Sequence, residues 1–282
     1  MNLDLTQERI ARATISANST PFDTSIHRQL HDNNPVDVVA NNGWNLDTGK
    51  KLIEDSHNLG ISFIIPSDPA WPTSLNDLDS LDTPSRPAGL WVKGDPNLNL
   101  ISDSKRCISV IGSRNASTTA LEQTRTFCTS LASEHGFVIV SGGAIGIDTA
   151  AHSAALNVQS PTVVVLPGGL DDLYPRSNQP MFNAIVNSGG ALISECPIGT
   201  RMSRNHFLAR NRIVAALCGK TFLVEATLRS GSMNTARWAK SLNRQLLATD
   251  RAYNTVYTTG NRSLIDNKLA KSITSISDII EG

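Results

Sequence analysis

From residue 107 onward, short apolar runs alternate with longer amphipathic stretches. The runs at 107–111, 137–140, 162–166, 191–194, 221–224 and 245–248 are brief and partly β-branched, as strands covered on both faces are. Between them, the stretches 118–134, 148–156, 178–187, 208–218 and 233–242 carry apolar residues at helical spacing. Strand–helix alternation at this spacing predicts an α/β fold with a doubly wound, mostly parallel sheet.

The first sixty residues have a different texture. Helical patterns occupy 7–17, where Ile10 and Ala11 recur with Thr14 and Ile15 on one face, then the surroundings of 27–30, then 46–59. Residues 61–103 are rich in Pro, Asp, Ser and Asn, which marks a turn-rich connector with short extended pieces. Trp71, Leu90 and Trp91 are the groups expected to pack it on the α/β domain. The expected organisation is a helical module at 1–60, this connector at 61–103 and an α/β domain at 104–282.

Charge sharpens that division. The chain of 282 residues has 25 Lys and Arg against 25 Asp and Glu. Residues 1–103 hold 7 basic and 14 acidic side chains, and residues 201–244 hold nine basic side chains with Glu225 as the one acid. The basic part suits an anionic partner, and a solvated basic face attracted to the acidic half fits the count as well. No window approaches 18 uninterrupted apolar residues, and the first residues carry acids and no apolar leader core, so a cytoplasmic protein is expected. Cys107, Cys128, Cys196 and Cys218 show no C-x-x-C spacing and read as reduced core thiols.

In an open parallel sheet ligands bind beyond the carboxyl ends of the strands. The loops expected there are Gly112-Ser113-Arg114, then Ser141-Gly142-Gly143-Ala144-Ile145-Gly146, then Gly168-Gly169-Leu170-Asp171 with Tyr174-Pro175-Arg176, and finally Arg229-Ser230-Gly231-Ser232. Glycine permits tight turns and removes Cβ atoms that hold an anion away from backbone amides. Asp148 and Ser232 stand where helix N-caps are expected, and Arg114 can grip a phosphate with two donors. Together these loops read as a rim that cradles phosphate, although a glycine after such a strand is also needed simply to make the turn. Asp148 and His152, four residues apart, are expected to form a structural hydrogen bond. Arg210, Asn211 and Arg212 lie in an otherwise apolar stretch, where a buried arginine is expected to pair with Glu195 or Glu225. Arg237, Lys240 and Arg244 share one helical face and read as a strand-tracking stripe or a solvated surface.

Enzyme signatures are missing. The 142–146 loop is not G-x-G-x-x-G, and no G-x-x-x-x-G-K-[ST] occurs. His27, His31, His57, His135 and His206 form no cluster of metal-ligand spacing, and no nucleophile has a paired base. No catalytic residue, metal or cofactor is expected.

Taken in chain order, Gly112-Ser113-Arg114, the segment 141–152, Gly168-Gly169-Leu170-Asp171 with Tyr174-Pro175, Ser194-Glu195, Phe207 with Arg210-Asn211-Arg212-Ile213, Val224-Glu225-Ala226, Ser230-Gly231-Ser232 and Gly260-Asn261-Arg262 resemble the DprA/Smf family of DNA-processing proteins. The resemblance covers about 61–280. It implies an extended Rossmann-like fold that binds single-stranded DNA and presents it to a RecA-type recombinase, usually as a homodimer. By the same resemblance Arg114 would hold phosphate, Arg176 would add a second positive contact, and Phe182 or Tyr174 would stack on bases. Ile145 stands where the family pattern has Arg, Gly143 where it has Leu, and Leu247-Ala248-Thr249-Asp250 replaces a Val-Pro-Gly-like turn. A second reading is a nucleotide sensor or nucleotide-cleaving Rossmann-like protein of the lysine-decarboxylase-like phosphoribohydrolase kind, whose P-G-G-x-G-T pattern is followed here only as far as Pro167-Gly168-Gly169.

Overall fold

A single nine-stranded sheet organises the α/β part of the chain. The computed structural model describes residues 6–249 and 256–281. Asp250 of the altered turn and the first five residues of the chain lie outside them. Four helices come first: α1 (Gln7–Asn18), α2 (Thr24–Asp32), α3 (Pro35–Asn41) and α4 (Leu46–Asn58). Each starts where a polar side chain, Thr6, Asp23, Asn34 or Asn45, accepts an otherwise orphaned amide. Helix α3 was not anticipated, because its seven residues are too few for a periodic pattern.

Two antiparallel strands follow, β1 (Ile61–Ile64) and β2 (Leu90–Gly94). Then come β3 (Cys107–Ile111), α5 (Thr118–Ser133), β4 (Val138–Ser141), α6 (Ile147–Asn157), β5 (Thr162–Val165), α7 (Gln179–Asn187), β6 (Ala191–Ser194), α8 (Arg204–Ala216), β7 (Lys220–Leu223), α9 (Ser232–Ser241) and β8 (Gln245–Thr249). Helix α10 (Thr259–Asp266), strand β9 (Lys271–Ile273) and helix α11 (Ser277–Ile280) close the described chain. The strand order is β1-β2-β6-β5-β4-β3-β7-β8-β9, with β3 to β9 parallel. The chain therefore steps outward from β3 through β4, β5 and β6, then crosses back to lay β7 on the other side of β3. That reversal creates a crevice at the carboxyl end of β3.

The segment 61–103 supplies two strands as well as packing. Strand β2 hydrogen-bonds to β6, with Trp91 opposite Ser194, and the Trp91 ring lies 4.2 Å from that of Phe63. Trp71 and Leu90 are buried in the core that also holds Val163, Val165 and Ile213. The opposite face of the sheet buries Val110, Phe127, Ile139, Ile147 and Phe222. Each fully buried aliphatic or aromatic side chain contributes about 1.5–3 kcal/mol, so a sheet apolar on both faces fixes the architecture. All four cysteines are buried and free. Among the described residues no helix is long and apolar enough to cross a membrane.

Candidate functional site

The crevice at the switch point is open and basic. It forms a cleft of about 830 Å³ walled by the loop after β3 (Gly112, Ser113, Arg114), by Gly142 and Ala144 after β4, by the first half of α8, and by residues 228–237. Arg114, Arg204, Arg210, Arg229 and Arg237 line it, and Asp148 is the one carboxylate among its walls. Among the described residues, Arg114, Arg204, Arg229 and Arg237 form no ion pair within 4 Å.

Helix α8 begins four residues before the expected 208, and this shift builds the cleft. Its start is set by Ser203, whose amide donates to His206 Nδ1 at 3.3 Å. Its first three residues, Arg204, Asn205 and His206, are polar and carry no apolar period, so the sequence pattern concealed the start. Arg204 and Phe207, which are cleft residues, fall on it. The excess of basic residues over 201–244 signals Arg204, and Phe207 stands among the family-resembling residues, but neither signal shows that the two share one wall.

The glycine loops divide into two kinds. A Cβ on Gly142 would lie 1.5 Å from Arg210 Nη1, so this glycine admits the guanidinium to the backbone. The loop is also closed to an outside anion at two amides, because Gly142 and Ala144 both donate to Asp148 Oδ2 at 3.2 Å. Asp148 thus holds the loop after β4 and does not cap α6, whose N-cap is Gly146. Gly146, at φ +90°, and Gly143, at φ +69°, pack against Ser113 O and the Phe182 ring respectively. The Ser141 hydroxyl is buried and donates to Val110 O. Gly168 and Gly169 pack on Met202 and Pro197 and lie off the cleft wall. Ser141, Gly143, Gly146, Gly168 and Gly169, expected to cradle phosphate, are not among the cleft walls: the Ser141 hydroxyl is spent on Val110 O, and the four glycines stand where a Cβ would meet neighbouring atoms. Gly231 differs, since a Cβ there would meet nothing within 4 Å. It lies on the wall with Ser230 and Ser232, and Ser232 is the first residue of α9, its hydroxyl donating to Gly112 O at 2.7 Å.

Arg210 forms the cleft floor. Only 6% of it is exposed, and its Nη1 donates to Val165 O at 3.0 Å. Burial lowers its pKa to about 10 against the opposing pull of Asp148, with Arg114 lowering it further. Burial raises the Asp148 carboxyl, opposed by Arg210 and by the two amides. Beside the floor an aromatic corner rises. The Arg114 guanidinium sits 5.1 Å from the centre of the Phe207 ring, and Tyr174 meets the same ring edge-on at 5.8 Å. Tyr174, Ile145 and Phe207 line a side pocket of about 110 Å³. Tyr174 is 46% exposed and accessible to a base, whereas Phe182 is fully buried beneath β5 and β6 and cannot stack on one. Arg176 is 83% exposed in its side chain, lies 3.7 Å from Asp172 and is not a wall of the cleft.

The remaining polar residues spend hydrogen bonds inside the fold, Asn211 doing so on the cleft wall. His152 is fully buried, and its Nδ1 meets Thr162 Oγ1 at 2.9 Å in place of the expected Asp148. Burial pushes its pKa down to about 3, with Arg210 acting in the same direction. Arg212 forms a two-pronged pair with Glu195, both contacts 2.6 Å, and donates to Ser85 O and Ala209 O. Burial favours the neutral Glu195 carboxyl, but Arg212 outweighs it and holds the pKa below the usual range. Glu225 takes no arginine among the described residues; it accepts the Ser117 amide and hydroxyl at the start of α5. Asn211 Nδ2 reaches Asn234 Oδ1 at 3.2 Å and joins α8 to α9. Arg244 is bound to Asp77 and to the carbonyls of Ser74 and Ala216, so the expected stripe keeps only Arg237 and Lys240 as exposed cations. Among the described residues no group of three or more His, Cys, Asp or Glu is arranged to hold a metal ion.

The model of the DNA recombination-mediator protein A family matches residues 62–282. The chain belongs to this family. Within it, the DNA processing protein DprA of Mycobacterium tuberculosis is 36% identical over 228 residues, 79% of this chain and 57% of the relative. DprA of Streptococcus pneumoniae is 37% identical over 194 residues, 69% of this chain and 66% of that protein. The chain thus spans little more than half the length of the mycobacterial family member. The X-ray structure of the pneumococcal DprA matches at a TM-score of 0.76 and 29% identity, covering 99% of this chain and 98% of that one. A Helicobacter pylori DprA structure, described for its unique single-stranded DNA binding mode, matches at 0.67 and 29%, covering 78% and 94%.

Proposed function

We propose that the cleft binds single-stranded DNA without sequence preference and without chemistry on the strand. The observation that carries this is the set of four arginines, Arg114, Arg204, Arg229 and Arg237, that wall an open groove with no carboxylate among the described residues within ion-pair distance. Cations left unpaired at a concave surface attract the phosphate backbone, and the exposed Tyr174 and half-covered Phe207 offer faces on which bases stack. A duplex hides its base faces, so the aromatic corner favours the single strand. The helicobacterial family member, whose structure is described for single-stranded DNA binding, supports the same reading.

A nucleotide sensor or nucleotide-cleaving protein is disfavoured. Two loop amides that would grip a pyrophosphate are occupied by Asp148, and no nucleophile with a paired base lines the cleft. We further propose, from family membership, that the protein acts in the cytoplasm as a homodimer and hands the strand to a RecA-type recombinase.

Gel-shift titration with single- and double-stranded oligonucleotides of equal length tests the reading. Tighter binding of the single strand is expected, with a log–log salt slope of about −0.7 for each phosphate contacted. Equal affinity for both, or no binding at low ionic strength, overturns it.

A further inference from the structure

The side pocket of about 110 Å³ is an annex of the cleft. It shares Arg114, Gly142, Ala144, Phe207 and Arg210 with the cleft and is closed by Ile145, Tyr174 and Pro175. Those last three add no charge, so the pocket sets two guanidinium groups against apolar and aromatic walls.

Arg210 is only partly spent on the fold. Its Nη1 donates to Val165 O, and the absence of a side chain at Gly142 lets the guanidinium lie there. Its Nη2, which is not fully buried, has no hydrogen-bond partner among the described residues. A guanidinium taken out of water with a donor to spare is costly, so one that lines a pocket points to an acceptor from outside.

The charges at the pocket do not cancel. Arg114 rests over the Phe207 ring, forms no ion pair among the described residues, and is near enough for its charge to act on Arg210. Asp148 is the carboxylate that opposes this, yet it does not line the side pocket and spends Oδ2 on the Gly142 and Ala144 amides. It offsets part of one charge, and more than one positive charge faces the pocket. A backbone diester brings a single negative charge, whereas a phosphate monoester carries about 1.5 to 2 near pH 7. Two planar guanidinium forks suit the three oxygens of such a group.

We propose that the side pocket is a subsite for the terminal phosphate monoester of a strand lying in the cleft. Arg210 and Arg114 hold the phosphate, and the last nucleotide lies against Tyr174 and Phe207. This rests on the cleft's binding of single strands and adds to it a preference for phosphorylated ends, with no reading of base identity.

Fluorescence-anisotropy titration of the whole chain tests this, with internally labelled oligonucleotides of one sequence. The ends compared are hydroxyl, 5′-phosphate, 3′-phosphate and the monomethyl ester of each phosphate. One of the two phosphorylated ends should bind about tenfold tighter than hydroxyl, the gain for one further charge-assisted hydrogen bond, and its methyl ester should lose most of that gain. Arg210→Gln should bring the ratio close to one; if that variant does not fold, Arg114→Ala is read in the same way. Equal binding of all ends, a methyl ester as tight as the phosphate, or an unchanged ratio in the folded variant overturns the subsite and leaves the single-strand reading standing. Failure of every strand to bind overturns both. Inorganic phosphate that stabilises the strand-free protein in a thermal-shift titration, at the concentrations where the phosphorylated strand binds, assigns the pocket to the free ion and overturns the strand-end proposal.

Discussion

Helix α8 delivers arginines to two regions that treat charge in opposite ways. At the seam with the helical module, cations are consumed by the fold. Arg212 is fully buried between Glu195, Ser85 O and the Phe22 ring, and Arg9 is held by Asp68 and Phe63 O. At the cleft, Arg114, Arg204, Arg229 and Arg237 line a groove with no carboxylate partner within 4 Å among the described residues. The same residue type is spent on the fold where its hydrogen bonds close internally and stays available to an anion where they do not. Arg210 stands between the two, buried like Arg212 yet forming the cleft floor like Arg114.

The largest effect that would sharpen this contrast is at the seam. Arg212→Met leaves the Glu195 carboxylate buried without its partner, which should cost about 3–5 kcal/mol of stability in urea titrations near neutral pH. In the native chain Arg212 holds the Glu195 pKa low. That contribution is present above the unfolded value of about 4.3 and is lost as pH falls through the folded value. In the variant the Arg212 counter-charge is gone and burial, the largest influence, raises the pKa, so its deficit should shrink on acidification. A deficit that stays constant with pH would break the account.

At the cleft the effects should fall on binding instead. Phe207→Ala removes the ring that Arg114 and Tyr174 both contact and should cost about 1–3 kcal/mol in affinity for every strand sequence, read by fluorescence anisotropy. Arg114→Ala should weaken binding about tenfold and reduce the salt slope by about 0.7, with no change in melting temperature. Unaltered affinity would remove Arg114 as a phosphate anchor. Arg176→Ala should be the mildest, within about twofold, because that side chain is solvated beside Asp172 and off the cleft wall. A tenfold loss there would extend the interface beyond the cleft.

The glycines show how far sequence reading reaches. Gly142, Gly143 and Gly231 are the same letter in equivalent-looking loops. Structure separates them: one admits Arg210, one packs on the Phe182 ring, and one faces open space. Phe182 and Tyr174 divide in the same way, one under the sheet and the other at the surface, although each is an aromatic beside a proline-containing turn. That a buried arginine of α8 pairs with Glu195 or Glu225 was legible because a charge in an apolar stretch needs a nearby opposite; that the pair is Arg212 with Glu195 was not. The taking of two loop amides by Asp148 was not, since it depends on where α6 begins.

Periodicity along the chain determined the strands β3 to β8, the helices between them and the placing of loops at one sheet edge, because burial on both faces writes itself into local composition. Phe207, a cleft residue reached through a polar helix start, and Phe182, lost to the core, were decided only by tertiary packing. Whether a side chain meets solvent, a partner or a ligand depends on neighbours far away in sequence, and those contacts leave no local pattern to read.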